Sequence, residues 1–170
     1  RIREQMDELK YLNIGATAVG TAINVNPVYL FHIIRNINLV CQTECVQADD
    51  LFDATQNLDC FVHTSSTLRI CAVNLSKICN DLRLLSSGPK AGLGEINLPP
   101  RQNGSSIMPG KINPVIPEVV SQVAFNIIGN DVTVTMAAEA GQMELNAFEP
   151  VIFYKIFESI DTLKGAVETL

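Results

Sequence analysis

Tryptophan is absent from this chain, and aromatic residues make up only 6% of it. Any core must therefore be aliphatic. Basic residues are scarce: 12 Lys and Arg stand against 18 Asp and Glu, a formal net charge of −6. An acidic chain with no basic stripe lacks the footprint of a nucleic-acid binder. No apolar run reaches the roughly 20 residues that span a bilayer, so no membrane partner is expected. No basic block precedes a short apolar stretch, so no secretory signal is expected either. Histidine occurs twice, at His32 and His63. Neither shares an obvious helical face with cysteines or carboxylates at metal-ligand spacing, and both read as structural or surface residues. The five cysteines, Cys41, Cys45, Cys60, Cys71 and Cys79, are odd in number and include no CxxC. That pattern disfavours a disulfide framework, a zinc knuckle and a thioredoxin-like site. It predicts buried free thiols in a reducing cytoplasm.

What is present is apolar material: 47% of 170 residues are hydrophobic and 18% charged, with a mean hydropathy of +0.21. Such a chain buries enough area to offset its ordering entropy. Its length suits one domain, or one piece of a longer protein. Residues 1–11 read as a helix without a start signal, as if the chain began inside one. Residues 12–27 are rich in Gly, Thr and Asn and read as loop. Asn26 and Pro27 suit the cap and first position of a helix reaching about Val40.

Between residues 48 and 87, Leu51, Leu58, Ser65, Ala72 and Cys79 recur every seven residues, with Ala54, Phe61, Leu68, Leu75 and Leu82 as the second seam. These heptads predict one helix of about 40 residues, roughly 60 Å long. Asp49 and Asp50 fall in its first turn, and Gly88 and Pro89 end it. A loop over 89–113 follows. Pro114 then opens a second long helix, with Ile116, Val123, Asn130 and Ala137 on one seam and Val120, Ile127, Val134 and Gly141 on the other. Val119, Ile128 and Val132 lie off these seams, and no Lys or Arg occurs between Lys111 and Lys155. A helix apolar on several faces predicts a core shared between chains, with a homotetramer as the expected assembly. Pro150 is expected to bend or interrupt the chain before a last helix over 151–170. The β-branched run Val132-Thr133-Val134-Thr135 sits inside the heptads. The predicted fold class is all-α, a long-helix bundle forming one domain over residues 1–170.

The segment Asn103-Gly104-Ser105-Ser106-Ile107-Met108-Pro109-Gly110-Lys111-Ile112-Asn113-Pro114 concentrates the chemistry. Two glycines leave backbone amides accessible and the loop mobile. Two serines offer hydroxyls, and Lys111 a cation. Asn113 and Pro114 suit a helix start, with its free amides and positive end. Together these make an anion site for a carboxylate, or for an enolate-like dianion. A plain Gly/Ser loop capping a helix would account for the same features.

The string GSSIMPGKINP resembles the signature loop of the fumarase/aspartase superfamily, G-S-S-x-M-P-x-K-x-N, at every fixed position. The resemblance extends to SKICNDLRLLSSGPKAGLGEIN before the loop and to IPEVVSQVAFNIIGNDVTVTMAAEAGQMELNAFEP after it. LNIGATAVGTAIN is similar to the family segment G-x-T-A-x-G-T-x-x-N, with Ala22 where glycine is usual. Essentially all 170 residues are covered, and they resemble the central helical domain of the aspartase branch. A full subunit there is far longer. Its upstream Thr/Ser-rich substrate motif, its histidine in a T-H-x-Q context and its C-terminal domain do not occur here. The expectation is therefore a chain truncated at both ends, with an incomplete active site and no activity alone.

By this resemblance Ser105 would be the general base that takes a proton from Cβ of L-aspartate. Ser106 and the amides after it would form the oxyanion environment. Lys111 and Asn113 would bind substrate carboxylate. Glu118 would orient the missing histidine; the plain alternative is a solvated Glu early in a helix. Thr17 and Thr21 would lie near the pocket wall, and Gly104 and Gly110 would be hinges of a loop that is open without substrate. Glu95 and Asn97 read as loop scaffolding. The implied reaction is an anti elimination through an aci-carboxylate, giving fumarate and ammonia. It implies no organic cofactor and no catalytic metal, and leaves room for a divalent ion that only activates. Fumarase, with water as leaving group, is the neighbouring alternative, disfavoured by Pro114-Val115-Ile116-Pro117-Glu118 and the later AAEAGQ. A non-catalytic structural protein is the third reading, disfavoured by Ser105, Lys111 and Asn113 occurring together.

Overall fold

The structure is a computed structural model that describes all 170 residues, Arg1–Leu170. In chain order it contains α1 (Ile2–Glu8), β1 (Tyr11–Leu12), α2 (Pro27–Cys41), β2 (Val46–Gln47), α3 (Asp53–Gln56), α4 (Asp59–Leu85), α5 (Val115–Glu139) and α6 (Glu149–Thr169). The class is all-α. Its one sheet is a two-residue parallel pair, β1 with β2, fastened by Val46 N–H donating to Lys10 O and Ala48 N–H to Leu12 O, both at 2.9 Å. The chain divides into two compact units, residues 1–67 with 131–156, and residues 68–130 with 157–170.

In the first unit, α2 starts as its sequence requires. Asn26 is extended, its side chain accepts from Val28 N–H at 2.9 Å, and Pro27 takes the first helical position. The expected single helix over 48–87 is instead two helices, α3 and α4, parted at Asn57, whose backbone is extended (φ −98°, ψ 132°). Three local bonds cause the break. Asp50 Oδ1 accepts from both Phe52 and Asp53 N–H, which delays the helix start to residue 53. Asn57 Nδ2 then reaches back to Asp53 Oδ1 at 2.6 Å and closes the short helix. The heptad seam survives: Leu58, Ser65, Ala72 and Cys79 are all buried. Pro150 does not interrupt the last helix either. It is the second residue of α6, where its missing N–H costs nothing. The turn before it is held by buried Asn146, which donates to Ala137 O (2.9 Å) and Ala138 O (3.0 Å) and accepts from Phe148 N–H (2.7 Å). Phe61 and Phe153 pack edge to face at 5.0 Å.

The thiols depart in part from expectation. Cys79 is buried, Cys45, Cys60 and Cys71 are half-buried, and Cys41 is exposed. Cys41 is the last residue of α2, a helix with no buried residue. Burial pushes the Cys60 and Cys79 thiols up, so both stay protonated at neutral pH. His63 is a surface residue, its Nδ1 lying 3.2 Å from Glu8 Oε2.

The second unit is cored by one small residue from each long helix. Cys79 of α4, Val120 of α5 and Ala166 of α6 meet, with Leu75 and Val123 packed against them. Small side chains at the crossing let the helices approach closely. Asn130, predicted on a seam, is buried and donates to Glu158 Oε2 (2.9 Å) and Ser159 Oγ (3.1 Å). Along α5, Phe125 of this unit and Val132 and Met136 of the first are exposed apolar residues at helical spacing.

Two loop residues in the first unit separate a tolerated from an untolerated side chain. Gly20 has φ +79°, and a Cβ there would lie 2.4 Å from Phe52 Cα, so only glycine fits. Ala22 is also left-handed, at φ 53°, where an L-residue other than glycine costs about 1–2 kcal/mol. Restoring the family's usual residue with Ala22→Gly should therefore raise unfolding free energy by about 0.5–1 kcal/mol, net of glycine's greater freedom in the unfolded chain. Urea unfolding checks this, and an unchanged or lower midpoint would show that Ala22 is not strained.

Candidate active site

The site is built where α4 stops. A helix end leaves its last carbonyls without partners, and residues 86–97 fold back to supply them. Glu95 N–H donates to Leu85 O at 2.9 Å, and Ser87 Oγ to Leu84 O at 2.6 Å. Ser87 also closes the loop on itself, accepting from Leu93 N–H at its hydroxyl (3.1 Å) and from Gly94 N–H at its carbonyl (2.8 Å). Gly92 makes this crossing possible, since a Cβ there would lie 2.2 Å from the Ser87 carbonyl carbon. The result is a backbone wall tied to the end of α4.

The signature loop forms the facing wall. Ser105 Oγ accepts from Ile107 N–H and Met108 N–H, each at 3.2 Å. Lys111 N–H donates to Met108 O at 3.2 Å, with Gly110 left-handed (φ +81°) beside it. At the loop's neck, a Cβ on Gly104 would stand 3.1 Å from Lys111 O. After it α5 begins at Val115, with Glu118 in its first turn. Glu118 Oε1 lies 4.0 Å from Nη2 of Arg83, which stands in the last turn of α4.

Between the walls is a cleft of about 750 Å³, lined among others by Arg83, Ser86, Asn97, Met108, Lys111 and Glu118. Its charged residues are two cations and one carboxylate, a locally positive site in a chain of net charge −6. That arrangement attracts a small anion.

Three of the nine expected site residues line this cleft, and Ser105 is not among them. Lys111, Gly110 and Glu118 line the cleft, and Ser105 and Gly104 belong to the same loop. Ser106 is exposed on it. The two amides after Ser106 are directed at Ser105 Oγ itself. Asn113 departs from the expected cap: its side chain makes no hydrogen bond, and its carbonyl accepts from Val115 N–H at 2.9 Å. With the helix starting at Val115, Pro114 occupies the flanking position, and a residue before proline is held extended. Thr17 and Thr21 lie on the 12–26 loop of the first unit, where Thr17 is left-handed and bonds to Ala16 O. Sequence reasoning passed over Arg83 and took Asn97 for scaffolding. The signal for both was their place in the segment SKICNDLRLLSSGPKAGLGEIN, whose end becomes the wall tied to α4. No group of three or more His, Cys, Asp or Glu is placed to hold a metal ion.

A family profile described as lyase matches residues 1–129. The aspartate ammonia-lyase of Corynebacterium glutamicum is 54% identical over 169 residues, which is 99% of this chain and 32% of that protein. The aspartate ammonia-lyase of Helicobacter pylori is 57% identical over 162 residues, 95% of this chain and 35% of that one. The chain thus spans about a third of the length of these relatives. Among solved structures, the fumarate lyase:delta crystallin of Brucella melitensis bound to cobalt superposes with a TM-score of 0.95 at 52% identity, covering 98% of this chain and 36% of that one. A class II fumarase from Schistosoma mansoni gives 0.83 at 33% identity, covering 97% and 38%.

The crossing at Gly92 carries a direct test. Gly92→Ala places a methyl against backbone that cannot yield, and should destabilise the chain by about 1–3 kcal/mol. Hydrogen exchange at Leu93, Gly94 and Glu95 should accelerate together. Unchanged protection at those amides would mean that the wall does not depend on this contact.

Proposed function

This chain belongs to the lyase family of the fumarase/aspartase superfamily, and on that premise we propose that it is the central helical part of an aspartate ammonia-lyase. The substrate would be L-aspartate, and the products fumarate and ammonia. The observation that carries this reading is the pair of amides on Ser105 Oγ, within a loop that also holds Lys111. A serine hydroxyl is a very weak base; the alkoxide is the competent form. Hydrogen bonds donated to Oγ favour the charged form and lower the cost of reaching it, and a cation on the same loop acts in the same sense.

The proposed reaction runs as follows. Ser105, as alkoxide, takes the Cβ proton, and the electron pair moves into the adjacent carboxylate to give an aci-carboxylate dianion. Lys111 and Asn113 bind that carboxylate, and Asn113's unused side-chain amide is available to do so. Ser106 and the loop amides add donors. The electrons then return to form the carbon–carbon double bond as the Cα–N bond breaks and ammonia leaves. Charge gathers on the carboxylate in the transition state, so donors fixed there in advance accelerate the step. Glu118 would orient a histidine supplied from outside this chain, and Thr17 and Thr21 would contribute to a neighbouring pocket wall. Gly104 and Gly110 would let the loop open for substrate. The chemistry calls for no organic cofactor and no catalytic metal; a divalent ion would at most activate. Fumarase chemistry is the second reading, and the relatives named aspartate ammonia-lyase, at 54% and 57% identity, favour ammonia over water as leaving group. The five free cysteines suit a reducing cytoplasm.

In the complete protein, Ser105→Ala should lower kcat for fumarate formation by at least about 10²–10⁴-fold with the helical fold unchanged. Fumarate absorbance and circular dichroism check this. An Ala variant keeping more than about a tenth of kcat, a loss under roughly 1.4 kcal/mol, would exclude Ser105 as the base. The 170-residue chain alone should give no fumarate, because groups that act as a unit lose nearly everything when one is missing.

The assembly we propose is a homotetramer built on the long helices. The exposed apolar residues Phe125, Val132 and Met136 and the absence of Lys and Arg between Lys111 and Lys155 support it. Sedimentation should give a tetramer at micromolar concentration, and a stable, well-folded monomer would refute it.

A further inference from the structure

Arg83 and Glu118 stand on the two long helices that bracket the signature loop. Arg83 is in the last turn of α4 and Glu118 in the first turn of α5, and both line the cleft. Helix packing sets their positions. Cys79, one turn before Arg83 on α4, meets Val120, two residues after Glu118 on α5, in the core of the second unit. The contact runs from Nη2 of Arg83 to Oε1 of Glu118 at 4.0 Å, an ionic contact outside hydrogen-bond reach. The side chains are 44% and 40% exposed, and a pair so exposed adds little to stability. The helix dipoles favour a cation at one end and an anion at the other, but neither requires the two to meet. Of the two cations that line the cleft, Arg83 is the one at the carboxylate. The second oxygen, Oε2, has no partner within the chain.

A carboxylate accepts at two oxygens, and a cation that draws one of them leaves the other directed away from itself. We infer that Arg83 is the positioning residue of Glu118: it draws Oε1 towards the end of α4 and leaves Oε2 as the acceptor for an N–H donor. This rests on the proposed lyase reading, in which Glu118 orients a histidine supplied from outside the chain. It adds the group that orients Glu118 itself. A carboxylate free to turn among its rotamers must be found again by its donor at each turnover. A cation fixed on the neighbouring helix removes part of that search, and a misplacement of about 1 Å in such a group costs up to about 10²-fold in rate. Arg83 touches no substrate in this role; it acts on the chemical step through Glu118. Because both groups sit on packed helices, the orientation persists whatever the conformation of the loop between them.

The test is a double-mutant cycle in the complete protein, read as kcat and KM for fumarate formation from L-aspartate, with circular dichroism as the check on folding. Arg83→Gln should lower kcat about tenfold or more while KM stays within about twofold. Glu118→Gln should lower kcat at least as far. The double variant should then match Glu118→Gln alone within about twofold, whereas independent losses would multiply. Arg83→Lys, which keeps the charge on a different reach, should recover part of kcat and should also have no effect beside Glu118→Gln; it carries the cycle if Arg83→Gln does not fold. An Arg83 effect that persists undiminished beside Glu118→Gln overturns the inference. So does a rise in KM with kcat unchanged, which would put the guanidinium on substrate, and so does wild-type kcat in the folded Arg83 variants. All three leave the lyase reading standing. Wild-type kcat in Glu118→Gln overturns the inference together with the orienting role of Glu118. A complete wild-type protein that forms no fumarate overturns the lyase reading and the inference with it.

Discussion

The end of α4 organises everything that follows it. When a helix stops, several carbonyls face outward without partners, and burial or solvent must deal with them. Here the chain after Leu85 turns back and donates its own amides, with Ser87 bonding in three directions at once. The reversal depends on Gly92, because two backbone strands cross with no room for a side chain. From that fixed point the chain is delivered to the signature loop opposite, and then to the start of α5. Arg83, on the helix just before the reversal, and Glu118, on the helix just after the loop, face each other for the same reason. A cleft with two cations arises from a problem of helix termination.

Much of the fold was legible because its signals are periodic and local. The seam Leu58, Ser65, Ala72 and Cys79 is buried as spaced, and Asn26 with Pro27 starts α2 as their chemistry requires. The break at Asn57 was not legible from periodicity. Heptads report which side chains share a face, and they pass through a short interruption unchanged; what decided the matter was side-chain competition by Asp50 and Asn57 for backbone donors and partners. Pro150 misled for a related reason. The same ring that breaks a helix interior favours the first turn, and only the true start of α6 distinguishes the two.

The site divides along the same line. The placement of Lys111 and Glu118 at one cleft, with Ser105 on the same loop, was readable from one contiguous stretch, which carries its own context. Arg83 was not, because nothing in its neighbourhood marks it as different from any basic residue near a helix C-terminus, where cations are favoured by the dipole alone. Its place at the cleft comes from the fold, which closes the 35 residues of sequence between it and Glu118 to 4.0 Å. The hydrogen bonds onto Ser105 were likewise beyond reach of a one-dimensional reading, which pointed those amides at the substrate instead.

The narrow neck of the signature loop sets how such a protein can change. With Gly104 packed against the Lys111 carbonyl, the residues between them form a cassette closed at its base. Its contents can be exchanged, lengthened or shortened without moving the segment that enters or the helix that leaves. Positions inside the cassette can therefore vary while the long helices on either side of it keep their packing.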